Sequence, residues 1–166
     1  MPLHKTRDLD ALFPRNITGP REVYTSDMGL VGRLHPLIVH FPIALVMVAA
    51  AAEGVVAATR DWRWRAVAVV NLRAGAAFAV AAVVAGWWLA SAPGVDATLL
   101  LEWHRWLGVI TAVAAVAAAA ATWRRDRWST RDLWIYRLVL SAAAIGVAVT
   151  GHLGGLLVWG ADFLRP

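Results

Sequence analysis

No cysteine occurs anywhere in the 166 residues. Its absence excludes disulfides, thiolate-held clusters, c-type haem attachment and a cysteine nucleophile. Charge is scarce too, at 16% of residues against about 25% in an average soluble domain. No G-x-S-x-G, P-loop or H-E-x-x-H run is present, so the nucleophile-elbow, nucleotide-cradling and zincin chemistries have no foothold. The first 36 residues hold no h-region with a small-residue cleavage site. A cleaved secretory signal is therefore not expected, and the first apolar helix must direct insertion itself.

What the chain does have is apolar length. It is 60% hydrophobic with a mean hydropathy of +0.58, and the apolar residues fall in runs rather than alternating. Crossing the hydrocarbon core takes about 20 helical residues, and four runs suffice, near 37–59, 66–91, 98–123 and 134–160. Short connections make consecutive helices antiparallel neighbours. The expected fold is all-α: a polytopic membrane protein with a four-helix up-down bundle over 35–166, preceded by a polar tail over 1–34. Alanine dominates the bundle, as at Ala49–Ala52 and Ala112–Ala121. In lipid, helices associate by close packing of such small residues.

A net charge of +5 and a pI near 11 raise nucleic acid as a partner, and the charge distribution rejects it. Arg60, Arg63 and Arg65 follow the first run, and Arg124, Arg125, Arg127, Arg131 and Arg137 lie between the third and fourth or at the start of the fourth. The 92–102 stretch carries only Asp96 and Glu102. This is the positive-inside pattern, which places the arginine-rich turns in the cytoplasm and both termini outside a bacterial inner membrane. The tail, with five basic and four acidic residues, barely opposes it. The ten tryptophans cluster at span boundaries in two sets: Trp62, Trp64, Trp123, Trp128 and Trp134, and Trp87, Trp88, Trp103, Trp106 and Trp159. Those are the interfacial belts that correctly placed spans would show. In the tail, residues 6–13 read as an amphipathic turn on the membrane surface. The Asn16-Ile-Thr sequon reads as chance, and Asp162 as a solvated helix end.

Two polar positions lie inside the cytoplasmic half. Glu53 and Arg73, with Asn71 near Arg73, are about 10–12 Å from the nearest boundary arginines at 1.5 Å per residue. Matched depth on adjacent helices predicts a Glu53–Arg73 ion pair, a structural clamp that fixes register or, alternatively, part of a proton or ion path.

The histidines suggest chemistry. His40, His104 and His152 fall in the outer third of helices one, three and four, and His35 sits at the interface before Pro36. Intramembrane ionisable groups face the interior and mark cofactor, ion or proton sites. Imidazole suits haem iron, copper or zinc. Gly108 follows His104 at i+4, and His152 lies within Gly151-His152-Leu153-Gly154-Gly155. Glycines and small residues below a histidine, such as Ala44 and Ala51 below His40, would leave room for a flat macrocycle. Axial imidazoles must stand on opposite faces of a ring. Helices one and three are diagonal in an up-down bundle, which selects His40 and His104 as the axial pair. His152, His35 and Arg105 would then contact the ring edge or propionates. Two other readings stay open. One is a cofactor-free subunit scaffolding a larger membrane complex, with its histidines bonded to carbonyls. The other is a copper or zinc site, which needs His40, His104 and His152 nitrogens within roughly 3–4 Å of one another.

On these residues the chain resembles a bacterial membrane-protein family known only as a domain of unknown function. The likeness rests on His35-Pro36-Leu37-Ile38-Val39-His40-Phe41-Pro42-Ile43-Ala44-Leu45, on His104-Arg105-x-Leu107-Gly108, and on His152-x-Gly154-Gly155-x-Leu157-Val158-x-Gly160. It covers residues 33–160. Some members are joined to c-type cytochrome modules, which implies a place in respiratory electron transfer. Here, without cysteine, such a cytochrome would be a separate subunit. The combined expectation is a b-type cytochrome-like electron-transfer subunit, working with a c-type cytochrome or other membrane subunits and a quinone, rather than a stand-alone enzyme.

Overall fold

A chain crossing lipid must satisfy its backbone polar groups internally, and each apolar run does so as a helix. The structure is a computed structural model that describes Gly32 and residues 34–160, apart from the side chains of residues 125–127. The expectations for residues 6–13, Asn16 and Asp162 lie outside the described residues. Helix α1 runs His35–Thr59, with one turn residue, Val39, dividing His35–Ile38 from His40–Thr59. Pro42 has no N–H to give the Ile38 carbonyl, so the ladder is interrupted there. Helix α2 runs Arg63–Ala90 and α3 runs Leu99–Ala121. A 3-10 segment, Thr122–Arg127, leads into α4, Thr130–Trp159. All four are long and apolar enough to cross a membrane.

Polar caps set the helix ends, and for this reason α2 and α4 start three to four residues before the apolar runs do. The Asp61 carboxylate accepts from the Arg63 N–H at 3.0 Å. Ser129 and Asp132 form a reciprocal capping box at α4, each side chain accepting from the other's backbone N–H. Ser129→Ala removes one half of that exchange and is expected to cost about 1 kcal/mol. Thermal unfolding in detergent should show the loss, and Ser129→Thr should largely recover it. Arg60 closes α1 in the left-handed region at φ 59, with its N–H on the Val56 carbonyl at 3.0 Å. Only Asp61 and Trp62 remain to turn the chain into α2.

Each helix packs on its neighbours in sequence, and α4 closes the ring against α1. Helices α1 and α3 form one diagonal and α2 and α4 the other, as expected of an up-down bundle. The core is narrow because its residues are small: Val46, Ala49, Leu72, Ala115, Leu140 and Ala143 are all but inaccessible. Gly75 lets α1 approach α2, since a Cβ there would stand 2.9 Å from a Val46 methyl and 3.2 Å from the Val46 nitrogen. The outer shell is apolar, with Val70, Ile110, Val113, Leu138 and Ile145 exposed. Lipid is the solvent that suits such a surface. Tryptophans gather at both ends, most of them exposed. The end holding the 60–63 and 122–129 turns is called the arginine end below, and the opposite one the histidine end.

Candidate functional site

The core stripe of α1 repeats every seven residues through Pro42, Ala49 and Val56, all buried. Two turns before Pro42 it reaches His35. The His35 imidazole crosses to α2, where its Nδ1–H donates to the Ala82 carbonyl at 3.0 Å. One turn further on, Gly86 receives the ring: a Cβ at Gly86 would lie 2.8 Å from His35 Cε1. The same construction recurs on the other half of the bundle. His104 continues the α3 stripe of Thr111 and Ala118. Its Nδ1–H donates to the Thr150 carbonyl of α4 at 3.1 Å. Gly154, again one turn on, receives the ring, with a Cβ there 3.1 Å from His104 Cε1.

A carbonyl can only accept, so both Nδ1 atoms carry a proton, and in the neutral imidazole each Nε2 is the atom with the lone pair. Neither Nε2 has a hydrogen bond among the described residues. The two rings face across the α1–α3 diagonal with centroids 6.5 Å apart and planes at 86°. Beside them, Arg105 Nε and Thr150 Oγ1 are buried without hydrogen-bond partners. The Arg105 guanidinium lies 3.8 Å from the Trp87 ring centroid, and Trp87 meets Trp106 edge-on at 5.7 Å. The histidine end therefore carries two half-buried imidazoles, a buried guanidinium nitrogen and a buried hydroxyl without hydrogen-bond partners.

The ring that faces His104 across the α1–α3 diagonal is that of His35, where His40 was expected. His40 precedes Pro42 by two residues, about 200° around the helix at 3.6 residues per turn. It is exposed on the lipid side with Ala44, Met47 and Ala51, and its Nδ1–H donates to the Pro36 carbonyl at 2.6 Å. The small residues below His40 thus open no interior space. His152 shares the exposed stripe of Leu138 and Ile145 and is itself exposed. The trio of His40, His104 and His152 needed by a small metal ion is not assembled. Among the described residues no group of three or more histidine, cysteine or carboxylate side chains stands ready for one. Three of the four glycines singled out from the sequence border side chains of neighbouring helices. Gly154 seats His104, an added Cβ would stand 3.0 Å from Ile43 Cδ1 at Gly151 and 3.6 Å from the Thr150 methyl at Gly108, and Gly155 borders open space. Gly86, Ala82 and Thr150 were not singled out from the sequence. Their signal was the small residue one turn beyond each accepting carbonyl.

The ion pair deep in the arginine half also differs from expectation. Glu53 pairs with two arginines: Arg65 at 3.0 Å and Arg137 at 2.9 Å. Arg73 instead donates from Nε to Thr122 Oγ1 at 2.9 Å and lies 4.8 Å from the Trp123 ring centroid. Matched depth did not choose the partner, because arginine spans several ångströms and azimuth decides. Arg65 stands seven residues before Leu72 on the buried stripe of α2, whereas Arg73 turns toward α3. The Glu53 cluster ties α1, α2 and α4 together.

No curated protein and no solved structure matches the chain. Residues 33–163 match the family described as Predicted membrane protein (DUF2231). That stretch takes in all four spans, the histidine pair and its glycine seats, and the chain belongs to this family of predicted membrane proteins.

Proposed function

We propose that this chain is a membrane-embedded electron-transfer subunit in which His35 and His104 would hold one b-type haem at the histidine end. The observation that carries the reading is the paired, proton-fixed imidazoles. A histidine that ligates through Nε2 almost always donates Nδ1–H to a carbonyl or carboxylate, which fixes tautomer and ring orientation. Both rings do so here, from diagonal helices. The two rings face each other across the bundle with centroids 6.5 Å apart. The unpartnered Arg105 Nε suits a propionate. A bound haem would supply reversible one-electron chemistry at a potential set by its bis-imidazole ligation and surroundings. The protein's own part is to orient the imidazoles, neutralise carboxylate charge through Arg105 and keep water out with Trp87 and Trp106. The positive-inside charge pattern supports a location of this end on the outer face of a bacterial inner membrane. There a soluble c-type cytochrome or a membrane partner could exchange electrons with it, and a quinone could deliver them.

The reduced-minus-oxidised absorption spectrum of the purified protein tests this. A b-type α band is expected in the parent, lost in His35→Ala and in His104→Ala, and retained in His40→Ala and His152→Ala. A flat spectrum from cells supplied with ample haem sinks the reading. One observation favours a second reading, a cofactor-free scaffold subunit: His35, His40 and His104 all bond carbonyls. On that reading His35→Ala and His104→Ala lower thermal stability while the spectrum stays flat throughout.

A further inference from the structure

At the arginine end, α3 and α4 part around a groove of about 680 Å³, within the roughly 300–1,000 Å³ of small-molecule sites. Its deep wall is apolar, from Ala117 and Ala121 of α3 and Val139 of α4. Its mouth carries opposite charges, Arg124 after α3 and Asp132 in the first turn of α4. Both are exposed, and they form no ion pair with each other or with another described residue. Asp132 spends Oδ2 on the Ser129 amide and hydroxyl, which leaves Oδ1 unbonded. Between mouth and wall stands Tyr136. It lines the groove, is only 2% exposed, and its buried hydroxyl lies within reach of the Glu53, Arg65 and Arg137 charges of the bundle interior.

We infer that this groove binds a zwitterionic phospholipid whose headgroup bears a phosphate and a primary ammonium, the phosphatidylethanolamine class. Arg124 meets the phosphate by charge-assisted hydrogen bonds. Asp132 Oδ1 accepts from the ammonium. One acyl chain follows the alanine wall, past the Tyr136 ring one turn deeper at about 6 Å along the helix. A lipid with a net negative headgroup would satisfy Arg124 and be repelled by Asp132. A quaternary choline would match the charges and lack the N–H donors. The same groove could admit a lipid-soluble quinone, which has no use for the Arg124–Asp132 pair.

Native mass spectrometry of the delipidated full-length protein, with phosphatidylethanolamine, phosphatidylcholine and phosphatidylglycerol added one at a time, tests this. Phosphatidylethanolamine should bind at least fivefold tighter than either of the others. Asp132→Asn keeps the capping acceptor, removes the charge, and should erase the preference over phosphatidylglycerol. Arg124→Gln should weaken all three by fivefold or more. Should Arg124→Gln fail to fold, Ala121→Phe, which fills the groove, should abolish the high-affinity occupancy while the lipid-free protein melts where the parent does. Equal binding of the three lipids, tighter phosphatidylglycerol, indifference to the variants, or displacement by ubiquinone-type quinones at low ratio would each overturn the proposal. The groove lies at the opposite end from the histidines, so its lipid occupancy and the haem spectrum succeed or fail separately.

Discussion

Glu53→Leu is expected to destabilise the bundle by about 3–5 kcal/mol, the cost of removing one partner from a buried ion pair. The carboxylate is 4% exposed and is the counter-ion of two guanidiniums, Arg65 and Arg137. Without it two positive charges remain side by side in a low-dielectric seam. Arg65 lies 5.0 Å from the Trp62 ring centroid and Arg137 lies 5.6 Å from that of Trp134. Such cation–π contacts are worth about 0.5–2 kcal/mol each, too little to replace a carboxylate. The triple variant Glu53→Leu, Arg65→Leu, Arg137→Leu separates pairing from packing. Replacing a whole buried cluster by apolar residues is commonly neutral or stabilising by about 1–4 kcal/mol. Denaturant titration in detergent should show the single variant far less stable than the triple one. Equal stabilities would show that Glu53 acts through its volume and not its charge.

Gly146→Ala should give the second large loss, about 1–3 kcal/mol, as overpacking of a filled interface does. A Cβ at Gly146 would collide with Thr111 Oγ1 and stand 2.9 Å from Thr111 Cγ2 and 3.1 Å from Thr111 Cβ. Thr111 is 5% exposed in mid-helix, so it has no room to retreat, and α3 and α4 must separate instead. Thr111→Ala in the same chain should restore part of the loss by removing two of the three atoms met. Gly54→Ala is the control, because no atom lies within 4 Å of its added Cβ. There the backbone entropy saved should raise stability by roughly 0.5–1 kcal/mol. A Gly146→Ala protein that melts like its parent would mean that the α3–α4 seam is looser than the packing describes.

The sequence made the spans, the bundle and its diagonals readable, because apolar run length and short turns dictate them almost alone. Helix starts were harder to place. Arg63 and Thr130 are polar, yet Asp61 and Ser129 cap the backbone before the apolar residues begin. The histidines show where depth is insufficient. His35, Pro42, Ala49 and Val56 are spaced by seven, as are His104, Thr111 and Ala118, and so are Leu138, Ile145 and His152. The first two series are buried stripes capped by a half-buried imidazole, and the third faces lipid. Following each series would have placed His35 and His104 inside and His152 outside. Depth along the axis treated His40 and His35 alike, though they point to different sides of α1. The partners of those imidazoles, Ala82 and Thr150, could not be read in this way. A backbone carbonyl leaves no mark in a sequence beyond the glycine that lets a ring approach it.

The two histidine bonds have a mechanical consequence. His35 joins α1 to α2, and His104 joins α3 to α4, so each staple lies within one hairpin. The hydrogen bonds and ion pairs between hairpins among the described residues, Glu53 with Arg137 and Arg73 with Thr122, are both at the arginine end. The molecule is therefore built like a clothes-peg: two rigid arms, a spring at one end and jaws faced with imidazole at the other. Parting the jaws breaks no hydrogen bond or ion pair among those residues, only ring contacts and alanine packing. Parting the sprung end exposes a carboxylate and three guanidiniums to lipid.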